Sequence, residues 1–333
     1  MATIYEVSEA AGVSLATVSR VMNGNTKVSD RTRKKVETAM AELGYQPNAI
    51  AQSLASNRTN SVGLLVSELH GSYFGDLMSA VEQVLKQYGK HVIITAGHVD
   101  EKREHDAIEF LKSRRCDALI LHAEAVSDEY LTTLCKTDLP VVVINRKVDG
   151  LDDNCFVVDN EKGGYLAAQA AIKQGHKEIG YISGPKFKKD ASDRLAGHKR
   201  ALVEAGIEVK DDHIFEGDFH ESSGQEGLHY LKQHFPDITA LICANDEMAS
   251  GAMTAAREAG LDIPQHLSIV GFDNVLFSRY LYPKLTTINN PIQSLSEMAA
   301  RWVLKNVYNT KINQTIEHLF VPEVVERHSL SKR

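Results

Sequence analysis

Residues 4–24 carry apolar side chains at helical spacing and predict two short helices joined by a tight turn. One face of the first helix consists of Ile4, Val7 and Ala11. Gly12 provides the left-handed conformation in which many helices end, and Ser14 is a good N-cap for a helix beginning near Leu15.

The second helix has two distinct faces. Its core-facing side chains are Val18, Val21 and Met22, and its outward side chains are Leu15, Ala16, Thr17 and Arg20. This division predicts a helix-turn-helix with an exposed reading surface. Spacing alone also allows a plain helical hairpin packed on a larger body.

A third helix is predicted after the start signal Val28-Ser29-Asp30 and before the stop signal Gly44. Its apolar positions are Val36, Ala39, Met40 and Leu43. Three short helices can share one small core. Between Arg20 and Lys35 the chain has six basic residues against Asp30 alone, a charge that suits DNA phosphates.

From Ser61 onward, short apolar runs alternate with amphipathic stretches. Runs at 62–66, 92–95, 118–121 and 141–144 predict parallel strands buried on both faces, separated by helices at 73–88, 101–114 and 127–136. A second unit of this kind has predicted strands at 179–183, 240–244 and 268–272 and helices at 191–205, 222–234 and 246–259. The pattern predicts a small all-α headpiece followed by two doubly wound α/β subdomains with a cleft between them.

The charge is distributed unevenly along the 333 residues. The whole chain has a net charge of −7, but residues 1–60 contain seven basic and five acidic residues. An acidic body would repel DNA while the basic tip attracts it, so the charge distribution orients the approach. The sequence shows no signal-peptide pattern and no stretch long enough to span a bilayer, which predicts a cytoplasmic protein with no membrane partner.

Four cysteines lack metal-ligand spacing, and buried thiols are expected for Cys116, Cys135, Cys155 and Cys243. Neither a metal site nor a cofactor is predicted, because the histidines show no paired spacing and no nucleotide-binding or nucleophile motif is present. An enzyme on this scaffold is the weaker alternative, since it would leave the basic headpiece unexplained.

Polar residues that follow predicted strands are candidates for a ligand site in the cleft. They are Asn145, Arg146, Asp159, Asn245 and Asp273. Carboxylates, amides and an arginine fork match the hydroxyl groups of a sugar. Asn145 and Asp159 could equally be a turn residue and a helix cap, and Asp246 could simply cap the helix that follows it.

The run "TIYEVSEAAGVSLATVSRVMNGNTKVS" resembles the DNA-binding headpiece of the LacI/GalR family of bacterial repressors. The likeness continues through "GYQPNAIAQSLASNRTNSVGLLV" and reaches "VERHSLS", so it covers essentially the whole chain. It implies a helix-turn-helix headpiece at 1–47, a hinge helix and linker at 48–60, and an effector-binding and dimerisation core at 61–333. The core would resemble the periplasmic sugar-binding fold, with lobes at 61–160 plus 290–318 and at 161–289 plus 319–333. The segments at 286–290, 292–308 and 319–325 would cross between these lobes.

The resemblance also implies which residues contact operator DNA. They are Thr3, Ser14, Leu15, Ala16, Thr17, Ser19, Arg20, Asn23, Lys27, Asn48, Ala51 and Leu54. Leu54 would enter the minor groove at a central base step of a pseudo-palindromic operator, although a plain linker contact with the core is the alternative.

For the effector, the resemblance implies Arg194 in "SDRLAGHKRAL", Asp273 in "VGFDN" and Asn245 in "CANDEMASGAM". Phe219 and Tyr73 or Phe74 would supply aromatic surfaces, and the alternative for the latter two is a place in the core. With the strand-end residues, the full predicted effector site is Tyr73, Phe74, Asn145, Arg146, Asp159, Arg194, Phe219, Asn245 and Asp273.

Within the family, "AIEFLKSRRCDALILHAE" and "VLFSRYLYPKLTTI" resemble the galactose-responsive members, from which Leu15 departs mildly. The function expected is a sequence-specific repressor of sugar-utilisation genes, controlled by galactose or a related hexose or glycoside. A co-repressor-type member that responds to another metabolite, such as a purine, is the alternative. A homodimer is expected because no leucine heptad follows "VERHSLSKR", and operator-bound protein would be associated with the nucleoid.

Overall fold

The computed structural model describes residues 2–22, 28–46 and 58–333, and it divides the chain into compact units at Met1–Asn60 and Ser61–Arg333. The first unit contains the helices α1 (Ile4–Ala11), α2 (Leu15–Met22) and α3 (Asp30–Glu42). Each helix contributes one fully buried valine, and these are Val7, Val18 and Val36. The predicted three-helix core is therefore confirmed.

The ends of these helices follow the local signals in the sequence. Thr3 and Glu6 form a capping box at the start of α1, and Gly12 ends that helix in the left-handed conformation at φ 63°. Ser29 caps α3 by accepting a hydrogen bond from the amide of Thr32. Leu43, predicted to face the core, lies just beyond α3 and is 39% exposed.

The second unit consists of two α/β lobes. Its strands are β1 (Ser61–Val66), β2 (His91–Ala96), β3 (Ala118–Leu121), β4 (Val141–Ile144), β5 (Cys155–Val158), β6 (Ile179–Ser183), β7 (Ile214–Glu216), β8 (Ala240–Cys243), β9 (Ser268–Asp273), β10 (Thr286–Asn289), β11 (Leu319–Phe320) and β12 (Glu323–Val325). Its α-helices are α4 (Ser72–Lys86), α5 (Glu101–Ser113), α6 (Asp128–Cys135), α7 (Asn160–Lys173), α8 (Lys189–Glu204), α9 (Glu221–His234), α10 (Asp246–Glu258) and α11 (Ile292–Asn306).

Each lobe is built on one six-stranded sheet. The first lobe has the strand order β11-β5-β4-β3-β1-β2, and the second has the order β12-β10-β9-β8-β6-β7. Every strand pair is parallel except β10 with β12. The chain crosses between the lobes after β5, after β10 and after β11. Parallel strands need helical crossovers, so both sheets carry helices on their faces, as the sequence pattern predicted.

Three details of this unit differ from the prediction. Strand β2 lies at the edge of its sheet and is only partly buried, because it has one neighbour, β1. The predicted strand at 319–325 is two strands in different sheets, with Pro322 between them. Residues 319–320 therefore belong to the first lobe, and the predicted lobe boundary at 318 moves to 321–322.

The prediction also missed helix α7 and strand β7. Gly163 and Gly164 lie inside α7, where they weaken the helical pattern. A Cβ atom on Gly164 would lie 1.9 Å from the carbonyl oxygen of Arg194, so close packing of α7 on α8 requires the glycine. Tertiary contact overrides local propensity at this helix.

The four cysteines are free thiols, of which Cys135 is only partly buried and the other three are buried. Burial raises the pKa of the Cys116 and Cys135 thiols to about 11. Within the described ranges, no helix combines the length and apolar character needed to cross a membrane.

Candidate functional site

The outer surface of α2 is the candidate nucleic-acid interface. Val18 and Val21 bury one side of this helix, which leaves Ala16 and Arg20 exposed on the other. Leu15, Thr17 and Ser19 are partly exposed beside them. The structure therefore brings these five predicted residues to one helix surface.

Two other predicted DNA contacts lie at helix starts. The side-chain oxygen of Thr3 accepts from the amide of Glu6, and Ser14 Oγ lies 2.9 Å from Thr17 Oγ1 while accepting from the amide of Thr17. Both are exposed residues. The remaining predicted contacts lie outside the described residues, and these are Asn23, Lys27, Asn48, Ala51 and Leu54.

The second unit contains a cavity of about 300 Å³ between its two lobes. Seven of the nine predicted effector residues line it, namely Tyr73, Phe74, Asn145, Arg194, Phe219, Asn245 and Asp273. The first three come from the first lobe and the other four from the second. A ligand in this cavity would contact both lobes at once.

Arg194 is the most constrained side chain of the second-lobe wall. It is 3% exposed, its Nε donates to Asn160 Oδ1 at 2.9 Å, and its Nη1 donates to the carbonyl oxygen of Ala244 at 2.6 Å. The guanidinium carbon lies 3.8 Å from the centre of the Phe272 ring, a stacked cation–π contact. These contacts hold the guanidinium in one orientation beside Asp273, whose Oδ1 is 3.7 Å from Nη1.

Asp273 ends strand β9 with a φ of 108°. Its Oδ1 accepts from Asn290 Nδ2 at 3.0 Å. Burial raises the pKa of Asp273 to about 6, although the Arg194 charge opposes the rise. Keeping the ionised Asp273 carboxylate in the cavity wall therefore lowers the free energy of unfolding.

Asn245, and not Asp246, caps helix α10. Its Oδ1 accepts from the amide of Met248 at 2.9 Å, and its Nδ2 donates to the carbonyl oxygen of Phe219 at 2.8 Å. Asp246 is fully buried and accepts from Thr287 Oγ1 and from the amide of Val275. Burial, followed by repulsion from the Asp273 carboxylate, raises the pKa of Asp246 well above its ordinary value.

The first-lobe wall carries three polar side chains that each have one buried atom without a partner in the described part of the chain. Tyr73 Oη, His122 Nε2 and Asn145 Oδ1 are buried atoms with no hydrogen-bond partner among the described residues. Burial, followed by the Asp273 charge, raises the pKa of Tyr73 well above its ordinary value, so the phenol keeps its proton. Tyr73, Phe74 and His122 pack edge to face, which makes the aromatic pair part of the lobe core as well as of the cavity wall.

The Phe219 ring lies against the second-lobe wall of the cavity. It occupies the space that a side chain at position 184 would need, since a Cβ atom built on Gly184 would lie 2.2 Å from the ring. Glycine at 184 is therefore what admits the ring to the cavity.

Two predicted effector residues do not line the cavity. Arg146 Nη1 donates to the carbonyl oxygens of Ala123 and Val126, and its Nη2 pairs with Asp128 at 2.5 Å. Asp159 caps α7 by accepting from the amide of Lys162. Neither side chain reaches the cavity wall, so these two residues are not part of the candidate site.

Several cavity residues escaped the sequence analysis. His122 directly follows β3 and could have been found by the strand-end rule that found Asn145. Asp190, Lys188 and Glu124 have no such signal, because they come together only through the packing of the lobes. Among the described residues, no group of three or more metal-ligating side chains comes together.

Comparison with known proteins gives two family matches, one near the N-terminus and one over most of the remaining chain. A family model described as "Bacterial regulatory proteins, lacI family" matches residues 3–48. A model described as "Periplasmic binding proteins and sugar binding domain of LacI family" matches residues 59–327. The two models therefore cover the headpiece and the two-lobed core.

The chain is similar to individual relatives along almost its full length. It is 41% identical over 331 residues to the HTH-type transcriptional regulator GalR of Escherichia coli K12, covering 99% of this chain and 96% of that protein. It is 38% identical over 333 residues to GalS of Salmonella typhimurium LT2, covering 100% and 98%. The crystal structure of the Lac repressor dimer bound to operator and the anti-inducer ONPF aligns with a TM-score of 0.85 at 30% identity, covering 99% of each chain.

These findings confirm the expected fold class and the expected kind of function. The protein is a DNA-binding transcription regulator and not an enzyme. The chain belongs to the LacI family of bacterial regulatory proteins.

Proposed function

We propose that this regulator is a repressor whose affinity for its operator falls when a neutral hexose, galactose or a related sugar or glycoside, binds between its lobes. The observation that carries the proposal is the cavity wall described above. It combines the fixed Arg194 and Asp273 of one lobe with three buried atoms of the other, Tyr73 Oη, His122 Nε2 and Asn145 Oδ1, which have no hydrogen-bond partner among the described residues.

The cavity chemistry supports a sugar. Asp273 and Asn145 offer oxygen acceptors for hydroxyl groups, Arg194 offers donors, and Phe219 offers an aromatic surface for a C–H side. The carboxylates at Asp190, Asp273 and Glu247 outnumber the cations nearby, which disfavours an anionic ligand. The similarity to GalR and GalS supports galactose as the first sugar to test.

On the DNA side, we propose that the exposed surface of α2 reads the major groove of each half-site. Leu15 and Ala16 can contact thymine methyl groups, while Arg20 can donate to base edges or phosphates. We propose a homodimer on a pseudo-palindromic operator, since paired half-sites match two-fold protein symmetry. The protein would act in the cytoplasm, associated with the nucleoid when it is bound to its operator.

Residues 48–60 are proposed as the hinge and linker, with Asn48, Ala51 and Leu54 at the minor groove. The family models leave residues 49–58 between the headpiece and the core, which supports a connecting role. Sugar binding can release the operator only by its different affinity for the two states of the dimer, typically ~1–3 kcal/mol per site.

The test is fluorescence anisotropy with a labelled duplex that the protein itself has selected from a pool of randomised palindromes. Operator affinity is measured at one fixed salt concentration with and without D-galactose, because salt alone changes protein–DNA affinity. A fall in affinity with galactose supports the proposal. A rise would identify the co-repressor alternative, and no change with intact DNA binding would exclude galactose and direct the search to other sugars and glycosides.

A further inference from the structure

One ion pair joins the two lobes inside the cavity. Glu124 follows β3 in the first lobe, and Lys188 directly precedes α8 in the second. Lys188 Nζ lies 2.6 Å from Glu124 Oε2, and the two side chains are 14% and 15% exposed. Neighbouring pairs such as Lys186–Glu216 and Lys189–Asp193 lie wholly within the second lobe.

The loop that carries Glu124 is held from two sides. The buried carboxylate of Glu104 accepts from the amides of Glu124, Ala125 and Val126 at 2.8–2.9 Å. From the other side, Arg146 donates to the carbonyl oxygens of Ala123 and Val126. Charged hydrogen bonds of this kind are among the strong ones, so the loop presents Glu124 from a fixed position. Arg146 therefore supports this loop, a structural role that the sequence did not indicate.

Lys188 is attached to the opposite wall in a similar way. Its amide donates to the carbonyl oxygen of Pro185 at 3.0 Å, and its carbonyl accepts from the amide of Ser192 in the first turn of α8. The same helix carries Asp190 and Arg194 into the cavity. A change in the distance between Glu124 and Lys188 therefore moves the start of α8 relative to the first lobe.

We propose that Glu124 and Lys188 form an inter-lobe pair that positions the two cavity walls and so sets the sugar concentration at which the operator is released. This inference rests on the proposed function, because it concerns the same cavity. A ligand that both lobes must enclose binds only to closed molecules. Its apparent affinity is therefore the intrinsic affinity multiplied by the fraction of molecules that are closed. The pair favours the closed arrangement, and shielding from solvent makes its attraction stronger than that of an exposed pair.

The first experiment measures sugar binding by isothermal titration calorimetry, using D-galactose as the probe. Glu124→Gln and Lys188→Met should each weaken binding about three- to tenfold, a range between exposed and buried pairs. The exchanged pair Glu124→Lys with Lys188→Glu should recover most of the loss. Lys186→Met, in the same loop but paired within one lobe, is the matched control and should bind like the wild type.

The exchanged pair separates positioning from direct sugar contact. If either side chain mainly binds the sugar, exchange of the charges would worsen binding further, and that result would overturn the proposal. Unchanged or tighter binding in both single variants would also overturn it. Thermal unfolding of each variant shows whether a loss of binding reflects a loss of folded protein.

The second experiment needs no ligand and therefore separates this inference from the proposed function. Spin labels are attached at Thr133→Cys in the first lobe and Glu226→Cys in the second, in a Cys135→Ser background that leaves the three buried cysteines. Pulsed electron resonance distances should lengthen or broaden in Glu124→Gln and in Lys188→Met, and recover in the exchanged pair. If the wild type binds no galactose but the two single variants show these distance changes, the result counts against galactose as the ligand and supports the inter-lobe role. Identical distance distributions in all variants would overturn the inter-lobe role.

Discussion

Asp273→Asn should make the protein more stable at neutral pH while weakening its sugar site. The carboxyl group is buried at the end of β9, beside Arg194 and the donor Asn290. Burial outweighs the attraction of Arg194 and raises the pKa of Asp273 from 3.8 to about 6. The folded protein therefore holds this proton more tightly than the unfolded chain does.

The direction of the pH dependence follows from this difference. Below pH 4 the carboxyl is protonated in both states, and the full stabilisation is present. Between about pH 4 and pH 6 the carboxyl ionises in the unfolded chain but keeps its proton in the folded protein, so the free energy of unfolding falls as the pH rises, and the loss is complete above about pH 6. A rise from 3.8 to about 6 corresponds to about 3 kcal/mol at 1.36 kcal/mol per pKa unit. The amide cannot ionise, so the variant avoids this loss, and it also removes the repulsion on Asp246.

The assay is urea unfolding of wild type and Asp273→Asn at several values between pH 4.5 and 8, followed by circular dichroism and by the fluorescence of Trp302, the single tryptophan. The variant's advantage in unfolding free energy should grow by about 2 kcal/mol between pH 4.5 and a little above pH 6 and then level off, while its affinity for sugar falls. Asp149→Asn, at an exposed loop position, is the matched exchange of carboxyl for amide. A stability difference that stays constant between pH 4.5 and 8 would refute this account of Asp273.

Three further predictions concern other elements. Arg194→Ala should keep operator affinity and lose the sugar-induced change in anisotropy, whereas Arg200→Ala, at the surface of the same helix, should respond normally; a normal response in both would clear Arg194 of its role. Gly197→Ala places a Cβ 1.9 Å from a backbone carbonyl of α7 and should cost about 1–3 kcal/mol in urea unfolding, whereas Gly75→Ala meets nothing within 4 Å and should gain about 0.5–1 kcal/mol; equal effects would contradict the packing argument. Thr3→Ala removes the capping box of α1 and should cost about 1 kcal/mol of local stability, seen as faster amide exchange in residues 4–11; unchanged exchange would show that the cap contributes nothing.

The elements that the sequence predicted well are those with local signals. Gly12 and Ser29 mark helix ends through their own backbone and side chain, so the three helices of the headpiece could be placed from local signals. The buried strands β3 and β4 likewise appear as uninterrupted apolar runs. Helix α7 could not be predicted in this way, because Gly164 reflects the approach of α8 from a distant part of the chain.

The same distinction between local signals and distant contacts applies to the residues of the candidate site. Asn245 and Asp273 could be found because parallel strands end at one edge of a sheet, which makes position along the chain informative. The same rule selected Arg146, whose direction depends on the loop at 123–126 and not on its own strand. Lys188 and Glu124 meet only when the two lobes pack together, so no pattern within one segment could have paired them.

The two walls of the cavity differ in a way that bears on how a sugar could change the protein. In the second lobe, Arg194 and Asn245 already have protein partners, so this wall is organised before any ligand arrives. In the first lobe, Tyr73, His122 and Asn145 each have a buried polar atom without a described partner, and such atoms cost free energy until something pairs with them. A sugar held by the second lobe can supply those hydrogen bonds only when the first lobe closes on it. The gain therefore depends on the lobe arrangement, which is the differential affinity that a ligand needs in order to shift a conformational equilibrium.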